Sequence, residues 1–459
     1  MSNRTERDSL GEVQVPAEAY YGANTQRAID NFRISGLALP GPLIIALARI
    51  KRQAARVNLA LGRLPKAEAE AIDTAATEII DGRHADQFPV DVFQTGSGTS
   101  TNMDLNEVIA GRANELLTGR RGGKEPVHPN DHVNRGQSTN DVFPTAIHLA
   151  AMIELRDQLA PALAALQKSL EAKADEFAAV VKTGRTHLQD ALPVTLGREF
   201  GGYARQVELG RRRLEAVQPG LAELPLGGTA VGTGAGAPPE FAPRVIAALA
   251  AETGLPLVEA VDHFEANSAR DAAVMAGGAL KTVAVSLAKI AGDLRWLASG
   301  PRFGLGEITL PALQPGSSIM PGKVNPVVCE VVVQVAAQVI GLDAALTLGG
   351  LGGRFELNTM MPLIAHNLLT SISWLAAAAR LLDERCVRGI QVGPALADSG
   401  IERNLMLATF LVPAIGYDRA AEVAREAARS GRTIAQAAVD LGLLDADQVR
   451  DLLDRARPK

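Results

Sequence analysis

Between Gly316 and Pro326 the chain reads Gly-Ser-Ser-Ile-Met-Pro-Gly-Lys-Val-Asn-Pro. Two adjacent hydroxyls (Ser317, Ser318), a lysine (Lys323) and an asparagine (Asn325) fall together in this stretch. Gly316 and Gly322 permit turns that are closed to most residues. Asn325-Pro326 reads as the N-cap and first position of a helix whose body is the apolar run from Val327 to Ile340. The pattern predicts a mobile loop that delivers these four side chains to the positive end of a helix, a place to bind an anion.

Two further clusters follow the same logic. Thr95-Gly-Ser-Gly-Thr-Ser-Thr101 precedes a helix through Leu105, Val108 and Leu116. Gln137-Ser-Thr-Asn140 precedes another, with Pro144 in its first turn. Ser97, Thr99, Ser138, Thr139 and Asn140 thus join free backbone N–H groups at helix starts. Either cluster alone reads as plain capping. Three such termini in one chain with few loops point to a shared anion site.

A fourth cluster, Gly184-Arg-Thr-His-Leu-Gln-Asp190, sets His187 among polar residues with Pro193 closing the loop. A histidine there can exchange protons near neutral pH. A lone histidine is more often structural, so His187 becomes a catalytic candidate only beside the other motifs. His128 and His132 stand four apart with Asp131 between them, a metal spacing if helical. Pro129 and Asn130 argue against a helix there, and no metal site is expected. Gly232-Thr-Gly-Ala-Gly236 resembles a dinucleotide turn, but Pro225 interrupts what precedes it and no β-branched strand leads in. No Ser-His-Asp order or Walker loop is visible.

The elements that must hold these residues are helices. Leu43, Leu47, Ile50, Ala54, Val57 and Leu61 form one stripe. Leu159, Leu163, Leu166, Leu170, Ala174 and Phe177 form a second, and Leu280, Val283, Leu287, Ile290, Leu294 and Leu297 a third. Steps of three and four are the seam of long packed helices, so the middle of the chain reads as a bundle. Aromatics are only 4%, and a core of small aliphatics suits close helix packing. The chain's 459 residues suggest about three domain-sized units. The expected divisions are 1–137, 138–395 and 396–459. Capping-box signals at Thr433/Gln436 and Asp445/Gln448 mark short helices in the last.

Composition narrows the partners. The net charge is −5 with no basic tract, which argues against nucleic acid. No apolar stretch reads as long and pure enough to span a bilayer, so no membrane association is expected. Two cysteines, Cys329 and Cys386, cannot build a disulfide framework and fit a reduced cytoplasm.

The loop from Gly316 and the other clusters resemble the class II fumarases of the fumarase/aspartase superfamily. The similarity runs from about Asp8 to the C-terminal domain. It includes Tyr21-Gly-Ala-Asn-Thr-Gln-Arg27, His128-Pro-Asn-Asp131, Leu226-Gly-Gly-Thr-Ala-Val-Gly232, Arg295-Trp-Leu-Ala-Ser-Gly-Pro301 and Phe355-Glu-Leu-Asn358. The resemblance implies a mainly α, three-domain fold and a cofactor-free homotetramer with a shared twenty-helix core. Each active site would be assembled from three subunits.

The implied reaction is the tricarboxylic acid cycle's reversible hydration of fumarate to L-malate, an anti addition through an aci-carboxylate. By resemblance, Ser97, Thr99, Ser138, Thr139, Asn140, Thr186, Ser318, Lys323 and Asn325 would hold the substrate carboxylates. Ser317 would take the C3 proton, and His187 would serve the leaving hydroxyl. Glu330 would support activity, and His128, Asn130 and Asp131 would form a second dicarboxylate site. The chain departs from the pattern at Ala235-Gly236, where fumarases usually show Leu-Asn, and at Leu342, where Asn is common.

The alternative is an aspartate ammonia-lyase, which shares the loop. Against it stand Thr95-Gly-Ser-Gly-Thr99, His128-Pro-Asn-Asp131, Phe264-Glu265-Ala266 and Trp296. A non-catalytic helical oligomer has no need of Ser317, His187, Lys323 and Asn325 together.

Overall fold

Alanine, leucine and valine at helical spacing carry most of the chain into helices. The structure, a computed structural model, describes residues 2–397 and 400–454. The first helices are α1 (Ala23–Asn31), α2 (Gly41–Ala60), α3 (Lys66–Ile80) and α4 (Thr99–Thr118). Then α5 (Thr139–Glu154) passes through a π turn at Leu155–Leu159 into α6 (Ala160–Glu176). Next come α7 (Leu196–Ala222), α8 (Phe241–Thr253), α9 (His263–Ser268) and α10 (Asp271–Leu297), followed by α11 (Val327–Gly350) and α12 (Met361–Arg385). Among the described residues no sheet exceeds two strands. The longer pairs are the antiparallel hairpins β1 (Asn3–Asp8) with β2 (Gly11–Pro16) and β3 (Val181–Thr186) with β4 (Gln189–Thr195). The fold is mainly α, as the stripes predict, and among the described residues there is no sheet on which a dinucleotide could sit.

Chain contacts divide the protein into two compact units, each built from three segments. The first comprises 1–161, 211–284 and 335–376, and the second 162–210, 285–334 and 377–459.

In the first unit α2 packs against α3, α5 and α8. Pro42 is tolerated in the first turn of α2, where no intrahelical N–H bond is lost. Leu43, Leu47 and Ile50 on its inner face are wholly buried, each contributing roughly 1.5–3 kcal/mol of transfer free energy. Its outer side carries Arg49 and Arg52, both paired with Glu252 of α8.

In the second unit, Phe177 meets Phe200 edge-on with ring centres 5.3 Å apart. The C-terminal helices Tyr417–Ser430, Ile434–Asp440 and Ala446–Asp454 close around a core of their own that includes Leu411, Val423, Ile434, Ala437 and Val449. Both capping boxes form there. Gln436 N donates to Thr433 Oγ1 at 3.2 Å, and Gln448 N donates to Asp445 Oδ1 at 2.9 Å.

One expectation is corrected. Three helical stretches, Asp271–Leu297, Val327–Gly350 and Met361–Gly389, are long and apolar enough to cross a membrane by length and composition. A bundle of small aliphatics needs apolar residues on more than one face of its long helices. Only 28% of the most apolar window of Val327–Gly350 is buried within this chain, against 72% for Met361–Gly389.

Candidate active site

The loop from Gly316 is closed by its own hydrogen bonds. Gly316 N donates to Lys323 O at 2.8 Å, and Asn325 Nδ2 donates to Gly316 O at 2.6 Å. A Cβ at Gly316 would stand 2.6 Å from Lys323 O, so only glycine permits this approach, while Gly322 takes φ +81° at the opposite turn. Ser317 Oγ accepts from the backbone N–H of Ile319 at 3.2 Å and of Met320 at 2.8 Å. Two amide dipoles therefore converge on that oxygen.

The helix boundary differs by one residue from expectation. Helix α11 starts at Val327, and the carbonyl of Pro326 accepts its first-turn bond from Glu330 N at 3.2 Å. The Asn325 side chain closes the loop through Nδ2, and Pro326 stands between it and the first helical residue. Glu330 lies one turn along α11, with Oε1 3.9 Å from Arg295 Nη2. Ser318 and Lys323 are exposed.

Thr186 and His187 sit at the tip of the β3–β4 hairpin. His187 and Leu188 form its two-residue turn with φ 57° and 60°, the mirror-image turn that fits the twist of antiparallel strands. Neither residue is glycine, so the tip holds backbone strain of the kind found at functional sites. The base is anchored. Buried Lys182 contacts Glu199 at 2.9 Å and Glu307 at 2.6 Å, and Arg185 contacts Glu307 at 2.7 Å. Asn404 Nδ2 also donates to Ala191 O at 2.8 Å. Among the described residues no hydrogen bond joins the hairpin tip to the loop at Gly316.

The first unit carries the remaining candidates. Gly98, at φ +81°, precedes α4, and the hydroxyls of Ser97 and Thr99 lie 2.8 Å apart. Ser138 and Asp141 form a reciprocal capping box at the start of α5. Asp141 is wholly buried, and burial raises its pKa against the backbone amides of Gly227, Thr229 and Ser138 that hydrogen-bond to it. This carboxylate fastens the 226–230 turn to the start of α5, and Asn140 Nδ2 donates to Ala230 O at 2.8 Å. Pro144 lies in the second turn of α5, not the first.

The segment after His128 is also corrected. Pro129–Val133 forms a π-helical turn, with Pro129 at its first position where a missing N–H costs nothing. The Nδ1 nitrogens of both histidines are taken up by backbone amides. His128 Nδ1 accepts from the amides of Asn130 and Asp131, both at 3.2 Å, and His132 Nδ1 accepts from His128 N at 3.0 Å. Asn130 and Asp131 are exposed. Among the described residues no group of histidine, cysteine or acidic side chains could hold a metal ion.

Sequence reading missed the polar layer beneath these termini. Asn102 and Asn106 on α4, Asn134 after the π turn, and Lys51 on α2 are joined by hydrogen bonds. The one available signal was the pair of asparagines four apart following the Thr95–Thr101 cluster. Lys51, between Ile50 and Arg52, reads as an ordinary solvent-facing lysine.

Residues 11–341 match the lyase family, and residues 407–457 match the fumarase C C-terminus. The chain is 55% identical to a class II fumarate hydratase from Nitrosomonas europaea over 97% of this chain and 96% of that one. It belongs to the class II fumarate hydratase family. Another family member, from Neisseria meningitidis, is 52% identical over 99% of this chain and 98% of its own. Among solved structures, a class II fumarase from Schistosoma mansoni superposes with a TM-score of 0.96 at 38% identity, covering 99% of both chains. A fumarate lyase:delta crystallin from Brucella melitensis gives 0.94 at 48% identity, again over 99% of both.

Proposed function

We propose that this chain catalyses the reversible hydration of fumarate to L-malate. The observation that carries the chemistry is the Ser317 oxygen, held by two backbone amides in a chain that matches class II fumarate hydratases over its length. A serine hydroxyl is a weak acid and becomes a base only where its alkoxide is stabilised. Those amides, with Lys323 of the same loop, would supply that stabilisation.

In the dehydration direction Ser317 Oγ takes the C3 proton of malate. The electron pair left on C3 spreads into the adjacent carboxylate as an aci-carboxylate. The C2–O bond then breaks, His187 protonates the departing hydroxyl, water leaves, and the C2–C3 double bond forms. Ser97, Thr99, Ser138, Thr139, Asn140, Thr186, Ser318, Lys323 and Asn325 hold the carboxylates with fixed donors that need no reorganisation as charge develops. Glu330 supports the loop end of the site. His128, Asn130 and Asp131 hold a second dicarboxylate.

The same proposal makes the chain a cytoplasmic homotetramer whose sites draw on more than one copy. Met275 and Val285 on α10 and Leu348 on α11 are each more than half exposed. These helices also carry Lys281, Lys289, Asp293, Glu330 and Asp343. Such charges suit water and a protein partner better than hydrocarbon.

One assay tests the reading. L-Malate, L-aspartate and argininosuccinate are offered separately, and fumarate is followed by its ultraviolet absorbance. Fumarate from malate is expected. Fumarate from aspartate but not malate overturns the proposal in favour of the ammonia-lyase.

A further inference from the structure

Lys51 is wholly buried on the inner face of α2, among Leu47, Ile50 and Ala54. A lysine is seldom placed there without a task, since burying an ammonium costs several kcal/mol unless it is compensated. Burial pulls its pKa down to about 7, against the attraction of Asp141. Its hydrogen-bond partner is a single amide oxygen, Asn134 Oδ1, at 2.8 Å.

That oxygen is the hub of the layer. It also receives Nδ2 of Asn102 and Nδ2 of Asn106, both at 3.3 Å. Asn134 in turn donates to Gln137 O at 3.2 Å, just before Ser138. About two turns further along the same face of α2, buried Asn58 donates to Arg135 O at 3.0 Å. Two polar residues of one helix thus hold the turn that leads into α5.

The chain of bonds ends on a hydroxyl. Asn102 Nδ2 donates to Thr139 Oγ1 at 2.9 Å. The inner side of Thr139 Oγ1 is therefore taken by a donor, so its O–H proton must turn away from Asn102, with the second lone pair still open. A hydroxyl whose proton is kept off the inner side is biased towards donating to a carboxylate outside. A hydroxyl free to rotate spends part of its time presenting a lone pair.

We propose that Lys51 is a positioning residue for substrate binding, acting through Asn134 and Asn102 to orient the Thr139 hydroxyl towards a substrate carboxylate. The proposal rests on the reading that Thr139 holds a substrate carboxylate. Lys51 touches no substrate. It anchors a buried network that would otherwise have its central acceptor served by amides alone, and such a network loses its unique arrangement when one member is removed.

The test is Lys51→Met, which keeps the length of the side chain and removes its charge and donors. KM for L-malate is expected to rise about tenfold, the scale of one hydrogen bond to a charged group, with kcat changed much less. Thermal stability is expected to hold or increase, because a buried charge has been removed. A merely structural lysine would lower stability and the active fraction while leaving KM in place, and that result overturns the proposal.

Thr139→Val and the double variant separate the two layers of argument. If Thr139→Val raises KM and Lys51→Met adds nothing further, the relay stands. If Thr139→Val raises KM while Lys51→Met does not, the relay fails and the site reading survives. If Thr139→Val leaves KM unchanged, the site reading itself fails at Thr139 and takes the relay with it. Should Lys51→Met not fold, Asn102→Leu carries the same test, with the same rise in KM expected and an unchanged KM overturning the relay.

Discussion

The hydroxyl oxygen of Ser317 accepts the backbone N–H of Met320 at 2.8 Å, three residues along the same loop. A turn that aims amides at a side-chain oxygen stabilises negative charge there more than it stabilises a neutral hydroxyl. It gives a weakly acidic serine a physical route to acting as a base.

Removing that oxygen should therefore remove most of the rate. Ser317→Ala is expected to lower kcat for malate by roughly 10²–10⁴, the usual contribution of a positioned general base, with a smaller change in KM. Steady-state kinetics on a folded variant checks this. Near-normal turnover would transfer the role of base to His187.

The hairpin tip predicts a stability effect of opposite sign. Leu188 holds φ 60° and is 62% exposed, so it has strain without compensating burial. Leu188→Asn places a residue that tolerates the left-handed region, and it should raise stability by about 0.5–1 kcal/mol. The measurement is the shift in Tm, with His187 untouched.

Gly98 is constrained twice over. It lies at φ +81°, and a Cβ there would meet the ring of buried Phe143 at 2.4 Å. Gly98→Ala should destabilise the protein by roughly 2–4 kcal/mol, combining backbone strain with overpacking. Because Thr99 follows directly, KM should rise as well. Chemical denaturation and malate kinetics on the same sample read both effects.

Acid sensitivity should centre on Glu78. The Arg112 guanidinium, 2.7 Å from its carboxylate, and His84 at 2.9 Å hold its pKa down to about 2, against a usual 4.5. A depressed carboxylate pKa contributes stability that is complete above 4.5 and disappears as pH falls through about 2. Glu78→Gln should cost at most about 3 kcal/mol near neutrality and almost nothing at the acid end. Denaturation midpoints taken across that window should converge as pH falls.

Assembly should be a condition of activity. Leu348 on α11 is 64% exposed in the single chain. Leu348→Arg is expected to yield smaller species by light scattering and to abolish malate turnover, although the loop from Gly316 is unaltered. An active monomer would refute the shared site.

The sequence alone determined the elements and the chemical types. Steps of three and four in Leu47, Leu163 or Leu287 dictate helices whatever lies around them. The Gly316–Pro326 loop, the hydroxyl clusters and His187 carry the residue types that anion binding and proton transfer need. Local signals succeeded where local energies decide, as in the capping boxes at Thr433 and Asp445.

Tertiary structure decided what no neighbouring residue encodes. The Asn325 amide ties its loop to Gly316 O, nine residues back. Lys51 is charged in the sequence and buried in the fold, since burial depends on α3, α5 and α8 arriving around α2. Its hydrogen bond spans 83 residues to Asn134. Periodicity tells which face of a helix is apolar. Only packing tells which polar groups on that face find partners, because those partners come from distant segments.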